Sequence, residues 1–163
     1  LFITAAFFTA CGGGTNLKKL VQSEKDTEGN PVPSYSNYCP TEDKEYRYFV
    51  GKTGKDQCTE ADAMKAALEA CIQNYQMLMQ NEVSSTSQLK TEWKEGAAGD
   101  SKSSEYAGVI EIKFDGKMVG MEILHQTSYL RKRVNALQPC SYQGYALARI
   151  SKKVLKDTFN IGN

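Results

Sequence analysis

Histidine and tryptophan occur once each in the 163 residues, and proline only four times. With His125 as the only imidazole, a Ser-His-Asp or Cys-His relay has a single possible base. No excess of either charge exists: 20 Lys and Arg face 19 Asp and Glu, a formal balance of +1. Such a balance gives no general attraction for a polyanion, so nucleic acid is not an expected partner. No pair of cysteines has C-x-x-C spacing, and structural zinc normally shows paired ligands at short spacing. No metal or other cofactor is expected. The longest apolar or small stretch, Leu1–Ala10, is half the roughly twenty residues a membrane-crossing helix needs. The length suits one domain with a real core and is short for two.

Cysteine is what the chain has more of than expected. Cys11 follows Leu1–Ala10 and precedes three glycines, apart from Cys39, Cys58, Cys71 and Cys140. With no basic stretch before it, the 1–10 segment reads as the remnant of a signal peptide's apolar region. Phe8-Thr9-Ala10-Cys11 resembles the lipobox of bacterial lipoproteins, where small residues precede a cysteine. Phe8 departs from that pattern, which usually has Leu there. The resemblance implies a diacylglycerol on the Cys11 thiol, cleavage before it and acylation of the new amino terminus. Gly12 stands where an aspartate would retain a lipoprotein at the inner membrane of a two-membrane host. The outer membrane is therefore the expected location, with the domain in the periplasm or at the cell surface. The competing reading is a buried N-terminal strand with a chance cysteine. The flexible Gly12–Asn16 composition that follows argues against it.

Residues 11–44 are rich in Gly, Ser, Thr, Asn, Pro and charge, and read as a lipidated cysteine on a flexible tether. Only one helical turn at Leu17–Val21 and the neighbourhood of Cys39 interrupt it. The domain proper is expected over 45–163. Tyr46–Gly51 alternates and stops at glycine, as a half-buried strand does. From Thr59 to Asn81 a helical period puts Met64, Leu68, Cys71, Tyr75 and Leu78 on one face. Asp62, Lys65, Glu69, Gln73, Gln76 and Gln80 fall on the other, and the alanines allow close approach to a sheet. Val83–Trp93 reads as a strand, Glu95–Ser104 as a loop and Gln138–Ser141 as a turn. Gly144–Ser151 is a strand, and Lys152–Phe159 a short basic helix. Val109–Ile123 fits a hairpin about Asp115-Gly116, while Tyr106, Val109, Ile110, Phe114 and Met118 also suit one helical face. The fold class is α+β: one long helix, with a possible second, packed on a small antiparallel sheet.

Several of these stretches resemble the lipoprotein-20 family of bacterial envelope proteins over roughly 46–151. They are Tyr48-Phe-Val-Gly51, the helix alanines 61, 66, 67 and 70, and the serines after Val83. Gly120-Met-Glu-Ile123 before Tyr129 and Gly144-Tyr-Ala-Leu-Ala-Arg149 complete the set. The family is compact α+β, and the resemblance brings no catalytic residue with it. The four cysteines beyond Cys11 and the strand-like 109–123 stretch are departures from it.

No chemistry-bearing motif survives inspection. Gly51-Lys52-Thr53 lies between strand and helix like a phosphate loop, but Tyr46 occupies the place of its first glycine. Gly99-Asp100-Ser101-Lys102 resembles an esterase nucleophile block set in a loop instead of after a strand. Arg131, Lys132, Arg133, Lys152, Lys153 and Lys156 form either a solvated face or a contact for anionic lipid headgroups. Trp93, Tyr106, Tyr129, Tyr142 and Tyr145 are sheet residues or a binding surface. In an exported chain the candidates Cys39, Cys58, Cys71 and Cys140 are expected as two disulfides. Cys58 and Cys71 stand roughly 20 Å apart along a straight helix. A bridge needs Cα atoms within about 7 Å, which removes that pair. Cys39–Cys58 with Cys71–Cys140, or Cys39–Cys71 with Cys58–Cys140, remain. The expected function is a non-enzymatic envelope module that binds another envelope protein while a lipid holds it to a membrane. The alternative is a small-molecule or glycan-binding module. A deep apolar pocket between helix and sheet would favour the ligand, and a filled core with a flat exposed patch the protein partner.

Overall fold

The computed structural model describes residues 15–82, 89–92, 108–114, 117–131 and 141–159. Chain order is α1 (Leu17–Leu20), β1 (Ser23–Lys25), β2 (Pro31–Pro33), α2 (Ser34–Asn37), β3 (Tyr46–Lys52) and α3 (Glu60–Glu82). Then follow β4 (Leu89–Glu92), β5 (Gly108–Phe114), β6 (Lys117–Leu130), β7 (Tyr142–Ser151) and α4 (Lys152–Phe159). The chain is α+β, with the long α3 packed on an antiparallel sheet of order β3-β7-β6-β5-β4. Strands β4 to β7 form a meander, and β3 closes onto β7. The 109–123 stretch is a hairpin: Phe114 pairs with Lys117, which leaves Asp115 and Gly116 between the strand ends. The loop expected at 95–104 and the turn expected at 138–140 lie outside the described residues.

α3 begins where its chemistry says it should. The Thr59 hydroxyl accepts from the Asp62 amide at 3.1 Å and donates to the Asp62 carboxylate at 2.7 Å, closing the first turn. Glu60 and Asp62 sit at the positive end of the helix dipole. Ala63, Ala67, Leu68, Cys71, Ile72, Tyr75 and Met79 are buried. Of the expected polar face, Asp62, Lys65, Glu69, Gln73 and Gln80 are exposed and Gln76 is half-buried, as are Met64 and Leu78 of the expected apolar face. Residues four apart, Ala63, Ala67 and Cys71, form a small-residue seam against Gly144, Gly51 and Ala146. A Cβ on Gly51 would lie 1.8 Å from the Ala67 carbonyl oxygen, and one on Gly144 1.9 Å from that of Ala63. The glycines are there because the helix backbone occupies the space of a side chain.

The sheet is covered on both faces. Phe49, Val119, Met121, Ile123, Ala146, Ala148 and Ile150 face α3 and α4, where Leu155 is also buried. Tyr48, Tyr145 and Leu147 alternate with them and pack against Leu20, Val32 and Tyr35. The 15–44 segment, expected as a tether, is thus a second layer folded on the sheet. Val32 and Tyr35 are each 2 % exposed. β1 and β2 pair antiparallel from Ser23↔Pro33 to Lys25↔Pro31, with Gly29 at φ 78° in the connecting turn. Asp26 accepts from the Glu28 and Asn30 amides in that turn. A polar composition hid this layer because its few apolar side chains follow no period of their own.

A bulge between Ile123 and His125 reverses the alternation of β6. Before it Val119, Met121 and Ile123 face α3. After it His125 pairs with Leu147 on the opposite face, and Gln126 takes the α3 side, where its amide donates to the Met64 carbonyl at 2.8 Å.

Candidate functional site

Among the described residues, α3 and the sheet pack closely. Ala63, Ala67, Cys71, Tyr75, Met79, Met121, Ala146 and Ala148 have no exposed surface. The Cys71 thiol is 3.4 Å from both the Phe49 and Ala146 carbonyls, which it can reach as a weak donor. Burial pushes this thiol up to about 12, far from the thiolate a nucleophile requires. Cys39 packs with the cluster on the other side of the sheet, and burial pushes it up to about 11.

The cysteine expectation needs correction. Cys39 and Cys71 are free thiols, so neither two-bridge pairing forms. The sheet stands between them, which secondary-structure spacing alone does not show. Cys58 is disulfide-bonded, whereas Cys11 and Cys140 lie outside the described residues. No three His, Cys, Asp or Glu side chains come together as metal ligands among the described residues.

Thr53, after the strand in Gly51-Lys52-Thr53, has a structural role. Its amide donates to the Gly144 carbonyl at 3.1 Å and its hydroxyl accepts from the Gly144 amide at 3.2 Å. Lys52 lies 5.7 Å from the centre of the Tyr145 ring. His125 is buried between sheet and second layer, its Nδ1 3.1 Å from the Tyr35 hydroxyl, with the rings edge to face at 5.6 Å. Gly99–Lys102, Trp93, Tyr106, Lys132 and Arg133 lie outside the described residues.

Of the expected aromatic surface, Tyr145 is a core residue, 1 % exposed, whose hydroxyl donates to Gln143 at 2.8 Å. Tyr129 packs beside it at 6.0 Å between ring centres, and Tyr142 is half-buried. Of the expected basic end, Arg131, Lys152 and Lys153 are paired among the described residues. Arg131 meets Glu28 at 2.6 Å and Asp56 at 3.8 Å, Lys152 meets Glu42 at 3.2 Å, and Lys153 meets Asp157 at 2.5 Å. Two of these pairs, Arg131–Glu28 and Lys152–Glu42, join the second layer to the body.

Asp43 is the polar centre of that junction. Its carboxylate accepts from the Glu45 and Tyr46 amides at 2.9 Å, the Tyr48 hydroxyl at 2.8 Å and the Thr15 hydroxyl at 2.9 Å. Burial pushes the carboxyl up, but these donors together outweigh it and hold it well below the usual carboxylate range. Next to it, Arg149 stacks on Tyr46 at 3.9 Å and meets Glu122 at 2.7 Å.

An open hollow of about 510 Å³ lies on the second layer, lined among others by Thr15, Asn16, Lys19, Glu24, Ser34 and Tyr38. Tyr38 is 74 % exposed at its side. Glu24 is held there by the Ser34 hydroxyl at 2.5 Å and the Asn37 amide at 3.4 Å. The exposed face of α3 carries Lys65, Glu69, Gln73, Met77 and Gln80, with Met77 54 % exposed. Nothing local in the sequence marked Tyr38 or Met77, because neither departs from its neighbours in type or period. No helix among the described residues is long and apolar enough to cross a membrane. The stretches likened to the lipoprotein-20 family fall on β3, α3, β6 and β7, with the serines after Val83 outside the described residues. The chain matches no family model, no curated protein and no solved structure.

Proposed function

We propose that the chain is a bacterial envelope lipoprotein, held by lipid on Cys11, whose folded body is a non-enzymatic module for binding another envelope protein. The observation that supports this most is the close packing of α3 on β3 and β7, where helix carbonyls take the place of side chains at Gly51 and Gly144. Where α3 and the sheet are packed this closely among the described residues, binding falls to the outer surfaces. The outer face of α3 suits protein binding, being polar, uncharged at Gln73 and Gln80, with Met77 as an exposed apolar anchor. The lipobox-like Phe8–Cys11 and the following Gly12 support an outer-membrane location in a two-membrane host. The test is cross-linking in cells, gentle solubilisation and co-purification with wild type and Met77→Glu. A discrete partner lost in the variant is the expected result. An identical set of proteins with both chains would remove α3 as the binding face.

The hollow beside Tyr38 favours a second reading, a small polar ligand or glycan. An exposed ring can stack on a sugar while Glu24 and Lys19 engage its hydroxyls. Titration of soluble cell-wall saccharides against Tyr38→Ala and wild type separates the two readings. Saturable binding lost in the variant would support the ligand.

A further inference from the structure

We infer that the second layer, through the surface around Thr15, Lys18, Lys19 and Tyr38, lies against the anionic phospholipid headgroups of the membrane that holds the protein. This rests on the proposed lipidation of Cys11 and adds an orientation to it. Thr15 is not on a loose tether: its amide and hydroxyl both donate to Asp43, at 3.3 and 2.9 Å. Only residues 12–14 separate it from Cys11. Whatever path they take, four residue steps reach at most about 14 Å. An acylated Cys11 must sit at the headgroup boundary, so Thr15 and its neighbours are confined to within that distance of it. A tether through residue 44 would have allowed any orientation, whereas three intervening residues do not.

The chemistry of the surface agrees with that placement. Lys18 and Lys19 are exposed and form no ion pair with a described residue. Most carboxylates of the layer are engaged elsewhere. Glu28 pairs with Arg131, Glu42 with Arg47 and Lys152, and Asp26 and Asp43 accept backbone amides. Glu24 is the one carboxylate lining the hollow, with Lys19 lining it too. Tyr38, 74 % exposed, has the apolar ring and polar tip that suit the boundary between water and acyl chains. Paired lysines beside an exposed tyrosine and a short lipid leash make a surface for an anionic bilayer. The outer face of α3, on the other side of the sheet, then points away from the membrane.

The test uses the full acylated chain in vesicles of phosphatidylcholine and phosphatidylglycerol. An amine-reactive reagent is applied, and modification of each lysine is followed by mass spectrometry and normalised to the same lysine in urea. Lys18 and Lys19 should react at least about threefold more slowly than Lys65 on the outer face of α3. The mass of the amino-terminal peptide from the same sample reports whether Cys11 is acylated. An acylated chain with equal rates at Lys18, Lys19 and Lys65 overturns the orientation and leaves the lipoprotein reading standing. An unacylated Cys11 overturns both.

Discussion

Glycine decides how closely α3 meets the sheet, and a single substitution tests it against a control. Gly51→Ala puts a methyl group into the Ala67 carbonyl and 2.7 Å from the Cys71 amide, both backbone atoms that cannot rotate away. Overpacking of this kind costs about 1–3 kcal/mol and sometimes more. Gly54→Ala meets nothing within 4 Å and should be neutral or stabilise by up to about 1 kcal/mol. Urea midpoints of the two variants give the comparison, and equal midpoints would mean that α3 does not approach β3 as described. Asp43 gives a pH signature. Its folded-state value is depressed below the unfolded one of about 3.9, so its stabilisation is present above that pH and lost as acid protonates the folded carboxylate. The stability difference between wild type and Asp43→Asn should hold steady from about pH 7 to 5 and shrink below about pH 4. A difference that stays constant into strong acid would remove the carboxylate from that role.

At the scale of elements, α3 carries the packing. Leu68 is 5 % exposed against the sheet while its neighbour Glu69 is in water. Leu68→Ala should cost about 2–5 kcal/mol, and Glu69→Ala no more than about 0.5 kcal/mol. Thermal unfolding of the pair checks this, and similar losses would mean the helix faces were misassigned. Ile72 and Met79 are buried with Leu68, Cys71 and Tyr75, whereas Met64 and Leu78 of the outlined stripe are half-buried, so the buried face is turned from the one the sequence outlines. β6 has the opposite character. Its bulge near Leu124 moves His125 from the α3 side to the second layer, and no local pattern announces a one-residue insertion of that kind.

At the scale of the molecule, three layers replace the tethered two-layer body that composition suggests. Tyr35→Ala should therefore lower global stability by about 3–5 kcal/mol, as truncation of a buried aromatic does. Tyr38→Ala, in the same segment but exposed, should change it by no more than about 0.5 kcal/mol. If chemical denaturation finds both variants equal to wild type, residues 15–44 are a tether after all. The same architecture predicts a single bridge. Cys39 and Cys71 are free, and Gln57 and Tyr142 exchange backbone hydrogen bonds of 2.8 and 3.0 Å, which brings the chain at 58 beside the chain entering β7. Non-reducing peptide mapping should find Cys58 joined to Cys140, with Cys39 and Cys71 alkylated only slowly until the protein unfolds. Rapid alkylation of Cys71 in the native protein would contradict its place in the core.

What the sequence determined by itself is what local forces determine. The period of α3 and its Thr59 cap, the alternation of β3 and β7, the single turn of α1 and the closing α4 all lie within spans that a few neighbouring residues specify. The hairpin at 109–123 was half legible, since its apolar residues satisfy two periods and only pairing with β4 and β7 selects the strand. Tertiary structure alone decided three things: the folding of 15–44 onto the sheet, the side on which His125 sits, and the separation of Cys39 from Cys71. Each depends on contacts between residues far apart in the chain. Tyr35 finds His125 ninety residues away, and Thr15 finds Asp43 twenty-eight away. Val32 and Tyr35 have no periodic company in their own segment. They become core residues only because Tyr48, Tyr145 and Leu147 leave an apolar face that must be covered.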